Sequence, residues 1–425
     1  MEFNSPFAAL RHKNFRYYSF GMLVSTTGTW MQNVAQPWLA YDLTGSPFLL
    51  SLVGAMQFLP VTFFSLFAGV VIDRFHKKKL LLLTQALAFA VTLVLAILVW
   101  TDHVVFWHLL LLSFLLGLVT TLDMPARHAF VVEMVGPSDL MNAIALNSTV
   151  FNLARVIGPA LAGILMGSIG MAACFFLNAI SYAVVFISLL FVRPLSPVNQ
   201  QSNRQGVMAT IQDGLRYIGA NRALLRTLVL IAIVGTFAPN FGVLVPVFAR
   251  EILGLQESGF GFLMSALGVG SLAGALTIAS LSRSGPSRSI LAWGPVATGI
   301  LIILTGTTGW PAWTAIGLAL AGFSFILFNT SGSSNLQIIT SDEYRGRVMS
   351  VYALVLGGTS PLGNLYAGLF AEHLGARAGF YACGLAILVL VSLKVLQTDR
   401  LAANAAASRA RCLPVASADE SGEPR

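Results

Sequence analysis

Apolar stretches of about twenty residues recur along the chain from Tyr17 to Leu396, separated by short polar breaks. Twenty helical residues rising 1.5 Å each span about 30 Å, the thickness of a bilayer's hydrocarbon core. Twelve such stretches are predicted, over residues 16–37, 48–72, 80–100, 106–124, 141–166, 172–192, 224–249, 259–281, 290–309, 313–337, 348–370 and 378–397. They are helices, because unpaired backbone is not tolerated in lipid and the alternation of a barrel strand is missing. The first 15 residues are basic, and no small-residue cleavage site follows a short apolar core. The stretch from Tyr17 is therefore read as a retained first span.

The longest polar break, "RPLSPVNQQSNRQGVMATIQDGLRYIGANRALLR" at 193–226, divides six spans from six. This predicts an N-terminal six-helix bundle over 1–192, a cytoplasmic linker over 193–223, a C-terminal six-helix bundle over 224–397 and a disordered cytoplasmic tail over 398–425. Within the linker, Met208 to Ile218 suits a short amphipathic helix on the inner surface. The halves resemble each other at an offset of 205: Gly69 answers Gly274, Gly158 answers Gly363, and Ala162-Gly163 answers Ala367-Gly368. Parallel six-span repeats flanking a site near the midplane are a recurrent transporter plan.

Composition sharpens the class. The chain is 56% hydrophobic and 10% charged with a mean hydropathy of +0.78, against about 25% charged residues in soluble domains. With both termini cytoplasmic, all of the 25 Lys and Arg except Arg155, Arg250 and Arg377 fall on the inner side. The net charge of +8 thus follows from topology and requires no nucleic acid. Trp38, Trp100, Trp107, Trp310 and Trp313 fall near the outer ends, as an interfacial belt would. Cys174 and Cys383 lie in spans and Cys412 in the tail, which suits packing rather than a disulfide framework. The six His are scattered without zinc spacing, and no nucleophile motif accompanies them. "GVGSLAG" at 268–274 mimics a dinucleotide fingerprint but lies inside an apolar span, where Gly270-x3-Gly274 reads as a helix contact. Neither an enzyme, nor a cofactor, nor a metal site is implied.

Gly69-x3-Asp73-Arg74-x2-Lys77-Lys78 resembles the cytoplasmic loop signature of the major facilitator superfamily and lies, as in that family, between the second and third spans. His76 stands where the family usually has Gly. In the fifth span, Ala145-x8-Ala154-x3-Gly158-Pro159-x2-Ala162-Gly163 resembles the family's antiporter motif, with Ala at three positions where Gly is typical. The N-terminal "FAALRHKNFRYYSFGMLVSTTGTWMQNVAQPWLAYDLTGS" and the stretch "DMPARHAF…LMNAIALN…ARVIGPA" resemble the twelve-span efflux branch that contains enterobactin and macrolide exporters. The resemblance covers nearly the whole chain. It implies an all-α integral membrane fold of two pseudo-symmetric six-helix bundles.

Several residues then stand out. Lys77 follows Asp73 by four, one helical turn, and Asp123 at the inner end of the fourth span is within reach of the same cation. The resemblance implies a charge relay there, and Asp73 also suits the positive N-terminal end of the eleventh span, near Gly346 to Met349. Gly69, Asp73, Arg74, Lys77 and Asp123 are thus read as a conformational lock, whereas orientation alone accounts for Lys78 and Lys79. The second half has Ile278 and Ala279 where Asp73 and Arg74 stand, so the lock is one-sided.

Ser148, Asn152 and Arg155 share one helical face, with Arg155 near the midplane. A charge there faces either a watery cavity, in contact with substrate, or a polar partner on the first or fourth span. Gly158-Pro159 with Ala154, Ala162 and Gly163 favours close helix packing tied to switching. Gln32, Asn33, Asn240, Asn329, Ser333 and Asn335 are further cavity candidates. No carboxylate falls mid-span, so a proton carrier is hard to name; Asp123 is the first choice, and an anionic substrate competing with protonation near Arg155 is the alternative.

These features predict a multi-pass inner-membrane secondary transporter, a monomer in contact with membrane lipid, exporting an amphipathic drug-like molecule or siderophore by proton antiport. An importer or lipid mover of the same fold is the rival within transport. A non-transporting receptor or scaffold is the rival outside it.

Overall fold

The computed structural model describes residues 7–193, 207–281 and 287–411, and among these all regular structure is helical. Eleven stretches are long and apolar enough to cross a membrane: span two (Pro47–Arg74), three (Lys77–Trp100), four (Phe106–Gly136), five (Ser138–Ile169), six (Met171–Phe191), seven (Arg222–Glu251), eight (Glu257–Leu281), nine (Arg288–Thr307), ten (Pro311–Ile339), eleven (Asp342–Leu374) and twelve, within Ala376–Arg411. Span one (Lys13–Thr44) completes the set. Its lower hydropathy reflects polar residues such as Gln32 and Gln36, which are buried and hydrogen-bonded to Asn178 and Ser113 on neighbouring helices rather than turned to lipid.

The termini of these helices follow local chemistry. Gly45, at φ 61°, closes span one with its N–H on the Tyr41 carbonyl. Ser46 then caps span two, its Oγ accepting from the Leu49 N–H at 3.1 Å with Pro47 in the first turn. Asn221 caps span seven, accepting from the N–H groups of Ala223 and Leu224. Spans four and five are expected from sequence to be joined by a loop over 125–140. They are instead two helices that meet directly at Gly136 (φ 71°, ψ 178°), whose positive-φ backbone makes the kink between them and precedes Pro137 at the start of the next helix.

Two spans are interrupted. Span seven breaks at 238–240, around Pro239, and span eleven pauses at Thr359 between Gly358 and Ser360. Non-helical backbone at membrane depth is tolerated where it is enclosed by protein or lines a cavity.

The two halves meet along spans two and eleven and along spans five and eight. The second seam is a glycine contact: a side chain on Gly163 would press on the Gly261 and Ser258 backbone, and one on Gly261 would collide with Gly163 and the Pro159 carbonyl. A large apolar core centred on Trp38, Phe175, Phe248, Phe260 and Phe328 runs through both halves. A separate core, with Phe15, Tyr18, Phe130 and Met134, seals the end of the first half that carries Lys77, here called the basic end.

One expectation is corrected, and the two segments after it extend beyond the sequence reading. Trp38 is 2% exposed and stacks on Phe260 at 5.3 Å, so it is a core residue, whereas Trp100, Trp107, Trp310 and Trp313 are exposed as a belt would require. The tail expected from 398 continues span twelve as helix to Arg411, consistent with the high helix propensity of "AANAAASRAR"; residues 412–425, with Cys412, lie outside the described residues. The linker helix runs over Val207–Ala220 and docks on the start of span eleven, with Tyr217 stacked on Tyr344 at 4.2 Å.

Candidate functional site

Between the halves lies a cavity of about 270 Å³, near the lower end of the roughly 300–1,000 Å³ of small-molecule pockets. Spans one, two, five, seven, eight, ten and eleven contribute to its wall. Trp30, Phe58, Phe241 and Phe325 supply aromatic surface, Leu50, Val53, Met264 and Leu267 aliphatic surface, and Asn33, Gln36, Gln57, Asn364 and Arg155 the polar groups. Among the described residues no Asp or Glu lines it.

Arg155 sits midway along span five, and its guanidinium lies 5.4 Å from the centroid of the Trp30 ring. Among the described residues no carboxylate pairs with it and no hydrogen-bond acceptor takes its N–H groups. Of the two surroundings the sequence leaves open, the geometry therefore supplies the cavity. The antiporter-like motif builds this arrangement. A side chain on Gly158 would strike Trp30, so the glycine lets span one close on span five and lay the indole against Arg155. Phe151 holds the same ring edge-on at 5.7 Å. Gly268 of span eight lies against the Arg155 carbonyl in the same way. Ala154 and Ala162 are fully buried, and Ala145 is exposed.

The other cavity candidates separate. Asn33 lines the cavity. Gln32 lies behind it in a chain of buried amides, in which Asn178 donates to Gln32 at 2.6 Å, Gln32 to Gln36 at 3.0 Å, and Gln36 to Ser113 at 2.7 Å. Asn240 is 1% exposed and does not face the cavity. Its amide donates to the carbonyls of Thr236 and Phe237 in the last turn of the helix before the break. Ser148 and Asn152 lie on the basic side of Arg155 and outside the lining, with Asn152 donating to the Ser148 carbonyl. Asn329 accepts from the Tyr352 hydroxyl, and Asn335 donates to Thr227. Sequence reasoning missed Trp30, Gln57 and Asn364. A polar residue inside an apolar span was the signal for the two amides.

At the basic end the expected reach of Lys77 to Asp123 is not made. Lys77 pairs with Glu133 at 2.7 Å. Asp123 pairs with Arg127 one turn on, and its Oδ1 accepts from Thr84 at 2.6 Å and Gln85 at 2.7 Å. Extending span four to Gly136 causes this exchange, because it carries Glu133 beside span three and Arg127 beside Asp123. The backbones of Gly69, Asp73 and Arg74 are helical, but their side chains lie outside the described residues.

At the opposite end, polar contacts tie the halves together. Asp42 pairs with Arg250 at 2.7 Å, and Tyr41 donates to Glu251 at 2.5 Å. Glu372 of span eleven accepts from the Ser46 hydroxyl at 2.8 Å and the Phe48 N–H at 3.1 Å, at the positive N-terminal end of span two. These contacts hold the seam shut at that end.

A model of the transmembrane secretion effector family matches residues 4–419. The chain belongs to this family, within the major facilitator superfamily. It is a membrane transporter and not an enzyme. The multidrug efflux pump Tap of Mycolicibacterium fortuitum is 26% identical over 87% of this chain and 92% of its own. The staphyloferrin A transporter of Staphylococcus aureus is 22% identical over 88% and 94%. Among solved structures, the nucleoside transporter NupG superposes with a TM-score of 0.74 at 12% identity, over 90% of this chain and 98% of its own, a likeness of fold. In this secretion effector, the residues that resemble the antiporter motif are the ones that bring Trp30 against span five, at Gly158, and Gly261 of span eight against it, at Pro159 and Gly163.

Proposed function

We propose that the protein exports an amphipathic drug-like compound or siderophore across the inner membrane by alternating access, driven by proton antiport. The observation that carries this reading is the cavity between the halves, which combines aromatic and aliphatic walls with an unpaired Arg155 and lies behind a seam held shut at one end. Apolar walls suit an amphipathic body, and a few polar groups orient it. The glycine contact of spans five and eight supports a seam on which the halves can move. The contacts at Asp42, Tyr41 and Glu372 serve one closed state, and the lock at Gly69, Asp73, Arg74 and Lys77 would serve the other. Efflux by the relatives Tap and macrolide efflux protein A of Streptococcus pyogenes favours export over import.

The test is transport by purified protein in liposomes, with a panel of labelled amphipathic compounds and an imposed pH gradient. Gradient-driven flux in the export direction is expected, lost in Arg155→Ala while that variant still inserts and folds. Flux that requires nucleotide, or that Arg155→Ala leaves at the wild-type rate, would overturn the reading.

A further inference from the structure

Resting on the export reading, we propose that the cavity selects amphipathic anions, apolar bodies carrying a carboxylate, sulfonate or similar oxyanion, and rejects lipophilic cations. Four polar side chains on its wall, Arg155, Asn33, Gln57 and Asn364, have no hydrogen-bond partner within the protein among the described residues. Gln36 is different: it is engaged on both sides, by Gln32 and Ser113. The amides adapt to either sign of charge, since each can donate or accept. The guanidinium cannot. It is a fixed cation whose five donors match a planar oxyanion, and its contact with the face of Trp30 uses none of them.

A cationic ligand lacks what it would need. Among the described residues no carboxylate lines the cavity, and the Trp30 face, the strongest cation–π surface on its wall, is already beside Arg155. In a partly dehydrated space between helices, like charges repel far more than in water, and an ion pair with a bound anion gains correspondingly. An anion would also give Arg155 the counter-charge that the protein does not supply. The headgroup would then sit between Arg155 and the three amides, with its apolar body toward Phe325 and Met264.

The experiment uses three probes that share a naphthalene ring: naphthalene-2-sulfonate, its neutral sulfonamide and a naphthyl trimethylammonium. Binding to the purified full-length protein is measured by equilibrium dialysis. The sulfonate is expected to bind about tenfold or more tighter than the ammonium probe. Arg155→Lys should keep that order, Arg155→Gln should reduce it to within about threefold, and Arg155→Glu should reverse it. A wild type that prefers the cation, binds the three alike or binds none overturns the proposal, as does a preference that survives Arg155→Gln. The same probes in liposomes separate it from the export reading: an anion bound but not moved fails export alone, whereas transport without charge preference fails this inference alone.

Discussion

Removing one member of the Asp123–Arg127 pair should cost more than removing both. The carboxylate and guanidinium side chains are only 13% and 16% exposed, so water cannot replace a lost partner. Arg127→Met leaves Asp123 with two neutral donors, Thr84 and Gln85, and no cation. Breaking a buried pair in this way costs about 3–5 kcal/mol. Asp123→Asn keeps an acceptor for Thr84 and Gln85 but strands the Arg127 charge, and a cost toward the lower end of the same range, about 3 kcal/mol, is expected. The double variant Asp123→Asn/Arg127→Met removes both charges, fills the site with groups of similar volume and should fall within about 2 kcal/mol of the wild type. Equilibrium unfolding in mixed micelles gives all four corners of the cycle. The expected coupling is about 2 kcal/mol or more; single effects that add to within about 0.5 kcal/mol would show that the two charges act independently and refute the argument.

Other expectations concern the seams and the basic end. Asp42 and Arg250 are nearly half exposed, so Asp42→Asn should change little, whereas Tyr41→Phe removes a donor from a buried ring to a carboxylate and should open that end about tenfold more often. Modification of a cysteine placed at Val53 reads both. Lys77→Glu should destabilise the protein, and recovery with Glu133→Lys but not with Asp123→Lys would confirm the pairing. Gly261→Val drives a side chain into Gly163 and Pro159, and liposome transport should be lost, with an overpacking penalty of about 1–3 kcal/mol in unfolding assays. Gly136→Ala should lower stability by about 1–2 kcal/mol, the cost of a Cβ in left-handed backbone.

Much of the architecture was legible because the bilayer imposes it. Span length, helix type and the division after span six follow from a solvent that accepts neither charge nor unpaired backbone. What escaped were decisions made by single residues. Nothing in the periodicity of 125–140 shows that one left-handed glycine can replace a loop, and from that error came the wrong acid for Lys77. Arg155 was found because a charge in an apolar run is conspicuous. Trp30 was not, since an aromatic residue in a span reads as ordinary core or lipid-facing surface. Asn240 shows the opposite failure: it looked like a ligand group because it is polar, yet its amide donates to the carbonyls of Thr236 and Phe237 at the break in its own span. The latch opposite the basic end was invisible for another reason, as it joins residues more than 200 positions apart.

An unpaired guanidinium midway through a membrane also bears on what the protein refuses to conduct. A cavity that opens alternately to two compartments is at risk of passing sodium or potassium along any transient file of water. A fixed positive charge at its wall raises an electrostatic barrier to every such ion, the device by which an arginine keeps water-filled pores closed to cations. On the proposed transport cycle, Arg155 would insulate the membrane potential through the moments when both gates are loose.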